Sequence, residues 1–187
     1  MNNEKKSLST ALKILIPVLV VAAVVAVWML KNAGDKNPSA ETTAPGTADV
    51  SVIKQGDFDL NADETLDVEA LKAYKLPILI EFGAEWCEPC KYMKPIITAL
   101  NSELRGRAIV KFVDTDKYWD IASRYEFEYI PTQLFINADG TPYNPPNAAE
   151  LGLDLHYGDG GELLFTTHSS TFTKEELLTI LADMGMK

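Results

Sequence analysis

The hydrophobic pattern divides the chain into one long apolar run near its start, a polar stretch, and then short apolar runs separated by segments of helical spacing. The first run, Ile14 to Leu30, is 17 residues without a charged or polar side chain. As a helix it would be about 26 Å long, at the short end of what crosses a bilayer. It is longer than most signal-peptide cores and ends in Trp28-Met29-Leu30 against Lys31, a boundary that suits a membrane interface better than a cleavage site. A retained anchor over residues 14–30 is therefore expected, with a cleaved signal as the alternative. Pro17 near its start is tolerable in a membrane helix.

Lys5, Lys6 and Lys13 precede the run while Lys31 and Lys36 follow it, which favours a cytoplasmic N-terminus over residues 1–13 and an extracytoplasmic remainder. Residues 31–50, rich in Ala, Thr, Pro and Gly and without periodicity, read as a flexible linker. The folded domain is expected over residues 51–187.

Within it, residues 67–75 (DVEALKAYK) have helical spacing, with Val68, Leu71 and Ala70 on one face and Asp67 as cap. Residues 76–82 (LPILIEF) read as a buried strand. A long helix begins at the cysteines and continues past Pro95, which kinks it. Residues 108–114 (AIVKFVD) form a second strand, 116–126 a helical stretch, 132–137 (TQLFIN) a third strand and 162–168 (ELLFTTH) a fourth. Thr173 to Glu176 is a capping box before the last helix, and Gly185 stops it. Helices alternating with short strands predict an α/β fold, a mixed central sheet flanked by helices.

Charge narrows the partners. From residue 51 onward there are 12 Lys and Arg against 23 Asp and Glu, a balance of −11. So acidic a domain argues against nucleic acid or anionic lipid as its partner.

The chain has two cysteines, Cys87 and Cys90. A zinc site would need about four ligands, and the two histidines, His156 and His168, lack ligand spacing, so no metal is expected. A purely structural disulfide would close too short a loop to remove much chain entropy. The redox reading has positive support. Cys87 falls at the start of a helix, where unsatisfied N–H groups and the helix dipole favour thiolate, the nucleophile of disulfide exchange. Cys90 lies almost one turn on, within reach of a disulfide and shielded by the helix, as a resolving cysteine should be. Pro89 fits the first turn, where a missing N–H costs nothing.

Together these residues carry a resemblance. FGAEWCEPCKYMKP resembles the active-site segment of the thioredoxin family, with Trp86 before the cysteines and Pro95 after them. Ile130-Pro131-Thr132, with Pro131 44 residues beyond Cys87, matches the family's cis-proline loop. The resemblance implies a thioredoxin fold, preceded here by one transmembrane helix and a linker. It implies a redox-active Cys87–Cys90 disulfide with no other cofactor, Cys87 attacking and Cys90 resolving. It places Glu81 where the family carries a buried carboxylate, usually Asp, that relays the resolving proton. Lys111 is aligned with the lysine beside that carboxylate. Trp86, Glu88, Pro89, Ile130, Pro131 and Thr132 are the implied substrate-contacting residues.

Glu88 stands where thioredoxins carry Gly, and a carboxylate beside Cys87 opposes thiolate formation. That leans the centre toward reduction of disulfide-bonded or thiol-bearing clients. The anchor adds a membrane electron conduit as the expected source of reductant. The Cys-Glu-Pro-Cys centre is similar to thioredoxin-like proteins of cytochrome c maturation, though without their frequent insertion before the cis-proline; repair of oxidative damage is a second setting. A disulfide oxidase or isomerase, or an interaction module without turnover, are the alternatives. Residues 141–160 have no counterpart in a minimal thioredoxin. Tyr143, Leu151, Leu153 and Tyr157 there are expected to cover a substrate groove or complete the sheet, with His156 on a hairpin face. Ser169 and Ser170 stand where the family usually has Gly.

Overall fold

The apolar run after Lys75 becomes the middle of a sheet. In the computed structural model, which describes residues 56–187, strand β1 (Ile78–Gly83) is buried along its whole length. A strand covered on both faces needs no alternation, which is why its sequence reads as apolar throughout but for Glu81. The expected anchor at 14–30, its flanks, the whole linker and residues 51–55 lie outside the described residues. Among the described residues no helix is long and apolar enough to cross a membrane.

Before β1 come α1 (Val68–Leu71) and one 3-10 turn (Lys72–Tyr74). After it come α2 (Glu88–Glu103), β2 (Ile109–Asp114), α3 (Trp119–Ala122), β3 (Thr132–Ile136), β4 (Asp154–Tyr157), β5 (Leu163–His168) and α4 (Lys174–Asp183). The sheet order is β2-β1-β3-β5-β4. β2 runs parallel to β1 through the α2 crossover; the β1–β3, β3–β5 and β5–β4 pairs are antiparallel.

Alternation along the strands sorts the core into two sides. Leu79, Val110 and Phe135 face α2 and α4, joining Met93, Ile97, Leu100, Phe172 and Leu177. Ile78, Ile80, Phe82, Ile109, Val113 and Leu134 face the other side, with Leu71, Ile121 and Ala122. The α2 side chains that dock are Cys90, Met93, Ile97 and Leu100, the three- and four-residue spacing of one helix face. Burial of each large apolar side chain contributes roughly 1.5–3 kcal/mol. That docking fixes where the helix begins, and so where Cys87 sits.

Three expectations are corrected. Ala70 is exposed, and α1 is a single turn, followed by the 3-10 turn that Lys75 ends at φ 55°. Residues 116–126 are helical only over Trp119–Ala122. The rings of Tyr125 and Phe127 both pack on Phe82, at 5.4 and 5.1 Å between centroids. Residues two apart cannot share one face of a helix, so packing on Phe82 ends it. The sheet has five strands where four were expected, because β4 rises from the 141–160 segment. That segment completes the sheet, one of the two roles expected of it: Tyr143, Ala148 and Leu153 are buried in the core, and Tyr143 Oη donates to Asp183 Oδ2 at 2.8 Å. His156 lies on the β4–β5 hairpin as expected, stacked on Phe165.

The capping box of α4 is present, with Thr173 and Glu176 each accepting from the other's backbone N–H. Gly185 ends the chain's last turn at φ 99°, where a Cβ would come within 3.1 Å of Ala138 Cβ.

Candidate functional site

Cys87 is the N-cap of α2 and is joined to Cys90 by a disulfide, with Sγ atoms 2.11 Å and Cα atoms 5.2 Å apart. The N–H of Cys90 points at Cys87 Sγ from 3.2 Å. After reduction that donor and the helix dipole behind it would face the freed Cys87 sulfur, an environment that favours thiolate. Both cysteines are nearly covered, 4% and 3% exposed, within a small cluster with Ala84 and Ile130.

Facing them is the loop before β3. The Ile130–Pro131 peptide is cis, as the resemblance implies, and Ile130 O lies 3.5 Å from Cys87 Sγ. Thr132 Oγ1 donates to Tyr129 O at 2.6 Å and lies 2.8 Å from Ser169 Oγ. A serine hydroxyl thus ties the end of β5 to this loop. Two large aromatics stand open beside the disulfide's elements, Trp86 at 69% and Tyr129 at 70% exposure. Trp86 Nε1 donates to Asp116 Oδ2 at 2.8 Å, which fixes the indole.

Glu81 is fully buried on β1. It shares its strand face with Gly83, where a Cβ would sit 3.3 Å from Cys90 Sγ. Two residues along a strand is about 7 Å, so the carboxyl lies one step behind the resolving sulfur. Burial pushes its pKa up to about 8, opposed by Gln133 Nε2, which donates to Glu81 Oε2 at 3.4 Å. Glu81 Oε1 is buried without a partner. A buried carboxyl with that pKa, one strand step behind Cys90, is suited to exchange a proton with the thiol that reduction frees there.

Lys111 is not beside Glu81, which corrects the alignment. Register pairs Lys111 with Ile80, on the opposite side of the sheet from Glu81. Its Nζ donates to Gly56 O at 2.7 Å, and burial lowers its pKa while Asp57, Asp59 and Asp63 raise it. The residue level with Glu81 is Phe112, whose ring lies against Gly83. A shift of one position along a strand exchanges the faces, so the residue type matched and the side did not.

Glu88 and Pro89 occupy the first turn of α2. Lys91 Nζ pairs with Glu88 Oε1 at 3.0 Å, both well exposed. The pair is worth little in stability, but the cation offsets part of the charge that Glu88 places beside Cys87. Gln133 and His168 were missed in the sequence, although a polar residue at the inward position of TQLFIN was a visible signal. Among the described residues no group of three or more His, Cys, Asp or Glu is placed to hold a metal.

Comparison with known proteins agrees with this geometry. The family model described as Thioredoxin matches residues 60–150. A thioredoxin of Chlorobaculum tepidum is 40% identical over 74 residues, covering 39% of this chain and 72% of that protein. A thioredoxin-like protein of Synechocystis sp. is 40% identical over 87 residues, covering 46% of this chain and 82% of its own. The chloroplastic thioredoxin Y of Oryza sativa is 40% identical over 74 residues; the match spans 40% of this chain and 44% of the rice protein.

Proposed function

The chain belongs to the thioredoxin family of thiol–disulfide oxidoreductases, and from that premise we propose that it reduces disulfides of client proteins outside the cytoplasm, anchored by residues 14–30. The observation that carries the chemistry is the disulfide at the start of α2 with buried Glu81 behind it. In the reduced protein Cys87 thiolate attacks a client disulfide, forming a mixed disulfide and releasing one client sulfur, which takes up a proton. Cys90 passes its proton to Glu81 and attacks Cys87 Sγ. The second client sulfur leaves, and the Cys87–Cys90 bond re-forms. Two electrons pass to the client.

The direction is supported by the charges around the sulfurs. Glu85 and Glu88 flank Cys87 along the chain, and Lys91, paired with Glu88, offsets only part of that charge. Carboxyls disfavour thiolate and so favour the disulfide form, the condition for a reductant. The N-terminal apolar run supports the location, and a domain held outside the cytoplasm has to be recharged by a thiol carrier in the membrane.

Cys90→Ser trapping tests this reading. Without its resolving thiol the variant is expected to accumulate mixed disulfides through Cys87, in membranes from cells expressing the full chain. Identified partners should include oxidised clients or a membrane thiol carrier. Recovery of thiol oxidants alone would contradict it.

A further inference from the structure

Across β1, β3 and β5, the face under α2 and α4 carries a row of polar side chains within an otherwise apolar layer. Glu81, Gln133 and His168 occupy Cα-paired positions on the three neighbouring strands. They are 0%, 0% and 8% exposed. Burying an amide and an imidazole costs free energy unless each is hydrogen-bonded, and a leucine at 133 would fill the strand without that cost. The row therefore calls for a reason other than packing.

Gln133 joins its two neighbours. Its Nε2 donates to Glu81 Oε2 at 3.4 Å and to Ser170 O at 3.0 Å, and its Oε1 lies 2.8 Å from His168 Nδ1. A backbone carbonyl only accepts, so Ser170 O fixes the amide with its NH2 toward Glu81 and its oxygen toward His168. That oxygen also only accepts, so His168 carries a proton on Nδ1, an assignment that follows from the network. The imidazole is held by stacking on Phe172, 3.9 Å between centroids. At the other end of the row, Glu81 Oε1 has no partner.

We propose, resting on the reading of Glu81 as proton acceptor for Cys90, that Gln133 is its positioning residue: steered by His168, it holds Glu81 by Oε2 and keeps Oε1 as the open, proton-accepting oxygen. Gln133 donates to the ionised carboxyl, so it favours the carboxylate against the burial that raises its pKa. The other groups facing the row are Cys90 from α2 at the Glu81 end, and Asp154 of β4 and Glu176 of α4 at the His168 end. Burial lowers the pKa of His168, against those two carboxylates. Protonation at Nε2 would leave the Nδ1–H bond to Gln133 in place.

The test follows the Glu81 carboxyl by carbon-13 NMR in the reduced protein across pH, with Glu81→Gln to assign its signal. In Gln133→Met the donor is gone, and the Glu81 titration midpoint is expected to rise by about one pH unit. His168→Phe removes the donor to Gln133 Oε1 and should move the midpoint the same way by less. His168→Asn, whose side-chain N–H falls near the place of Nδ1–H, should restore it. If Gln133→Met does not fold, the His168 pair carries the same test. An unmoved midpoint in Gln133→Met, or in His168→Phe, overturns the positioning role while leaving Glu81 as acceptor. An undiminished resolving step in Glu81→Gln, timed by release of a trapped client, overturns the acceptor reading and the proposal with it.

Discussion

Cys87→Ser is expected to reduce the insulin-disulfide reductase activity of the chain to background, a loss of roughly 10³-fold or more. The serine hydroxyl titrates far above any working pH, so neither the N–H of Cys90 at 3.2 Å from Sγ nor the α2 dipole has an anion to stabilise. The loss is chemical and not structural. A loop closed between Cys87 and Cys90, three positions apart, restrains the unfolded chain by about 2 kcal/mol at most in the entropic account. Compared with the reduced wild-type protein, which lacks the bond too, Cys87→Ser should unfold at nearly the same denaturant concentration. Activity well above background in Cys87→Ser would mean that another group does the chemistry. A collapse of stability would mean that the cysteines hold the fold together.

The second large effect is on stability, and its sign is opposite to the usual one for a core substitution. Glu81 has a native pKa of about 8 against an ordinary 4.5, with burial the main cause. The native state thus favours the protonated carboxyl. Below the unfolded-state value both states bind the proton and Glu81 costs nothing by ionisation. As pH rises past it, the unfolded chain ionises freely while the native one does not, and the native state loses ground until the native pKa is passed. Glu81→Gln keeps the shape and removes the titration. Its gain over wild type should be near zero at pH 4 and grow to roughly 3–5 kcal/mol between pH 7 and 9. Urea unfolding of both proteins at several pH values reads this directly. A gain that does not depend on pH would show that burial is not what perturbs Glu81. The same substitution removes the group that takes the Cys90 proton, so a stabilised protein with a slowed resolving step is the expected combination.

Much of this site was legible because its chemistry depends on local spacing. Cys87 at a helix start, Cys90 three residues on and Pro89 between them follow from the rules for helix N-termini, and Ile130-Pro131-Thr132 carries its own signature. Glu81 was legible as a carboxylate inside an apolar run. Long-range features were harder. Lys111 lies next to the position that faces Glu81, and strand periodicity alone does not say which neighbour of a residue in one strand meets which residue in another. Phe112 does, and only the β1–β2 register shows it. Tyr125 lies in a stretch that looks helical in isolation, and packing on Phe82, shared with Phe127, draws it out of a helix. β4 was hidden in a segment rich in Pro and Asn, because a four-residue edge strand with exposed ends carries little hydrophobic pattern. Gln133 and His168 gain meaning only when three strands stand side by side.

The central claim is that this centre gives electrons to clients, and the reduction potential of the Cys87–Cys90 couple tests it most directly. The fraction of oxidised protein would be measured across glutathione and dithiothreitol redox buffers at pH 7. A reductase should fall near thioredoxin's value, about −270 mV, or below it. A potential above about −180 mV, toward the −120 mV of the strongest oxidants of this chemistry, would contradict the account and make the chain an acceptor of electrons.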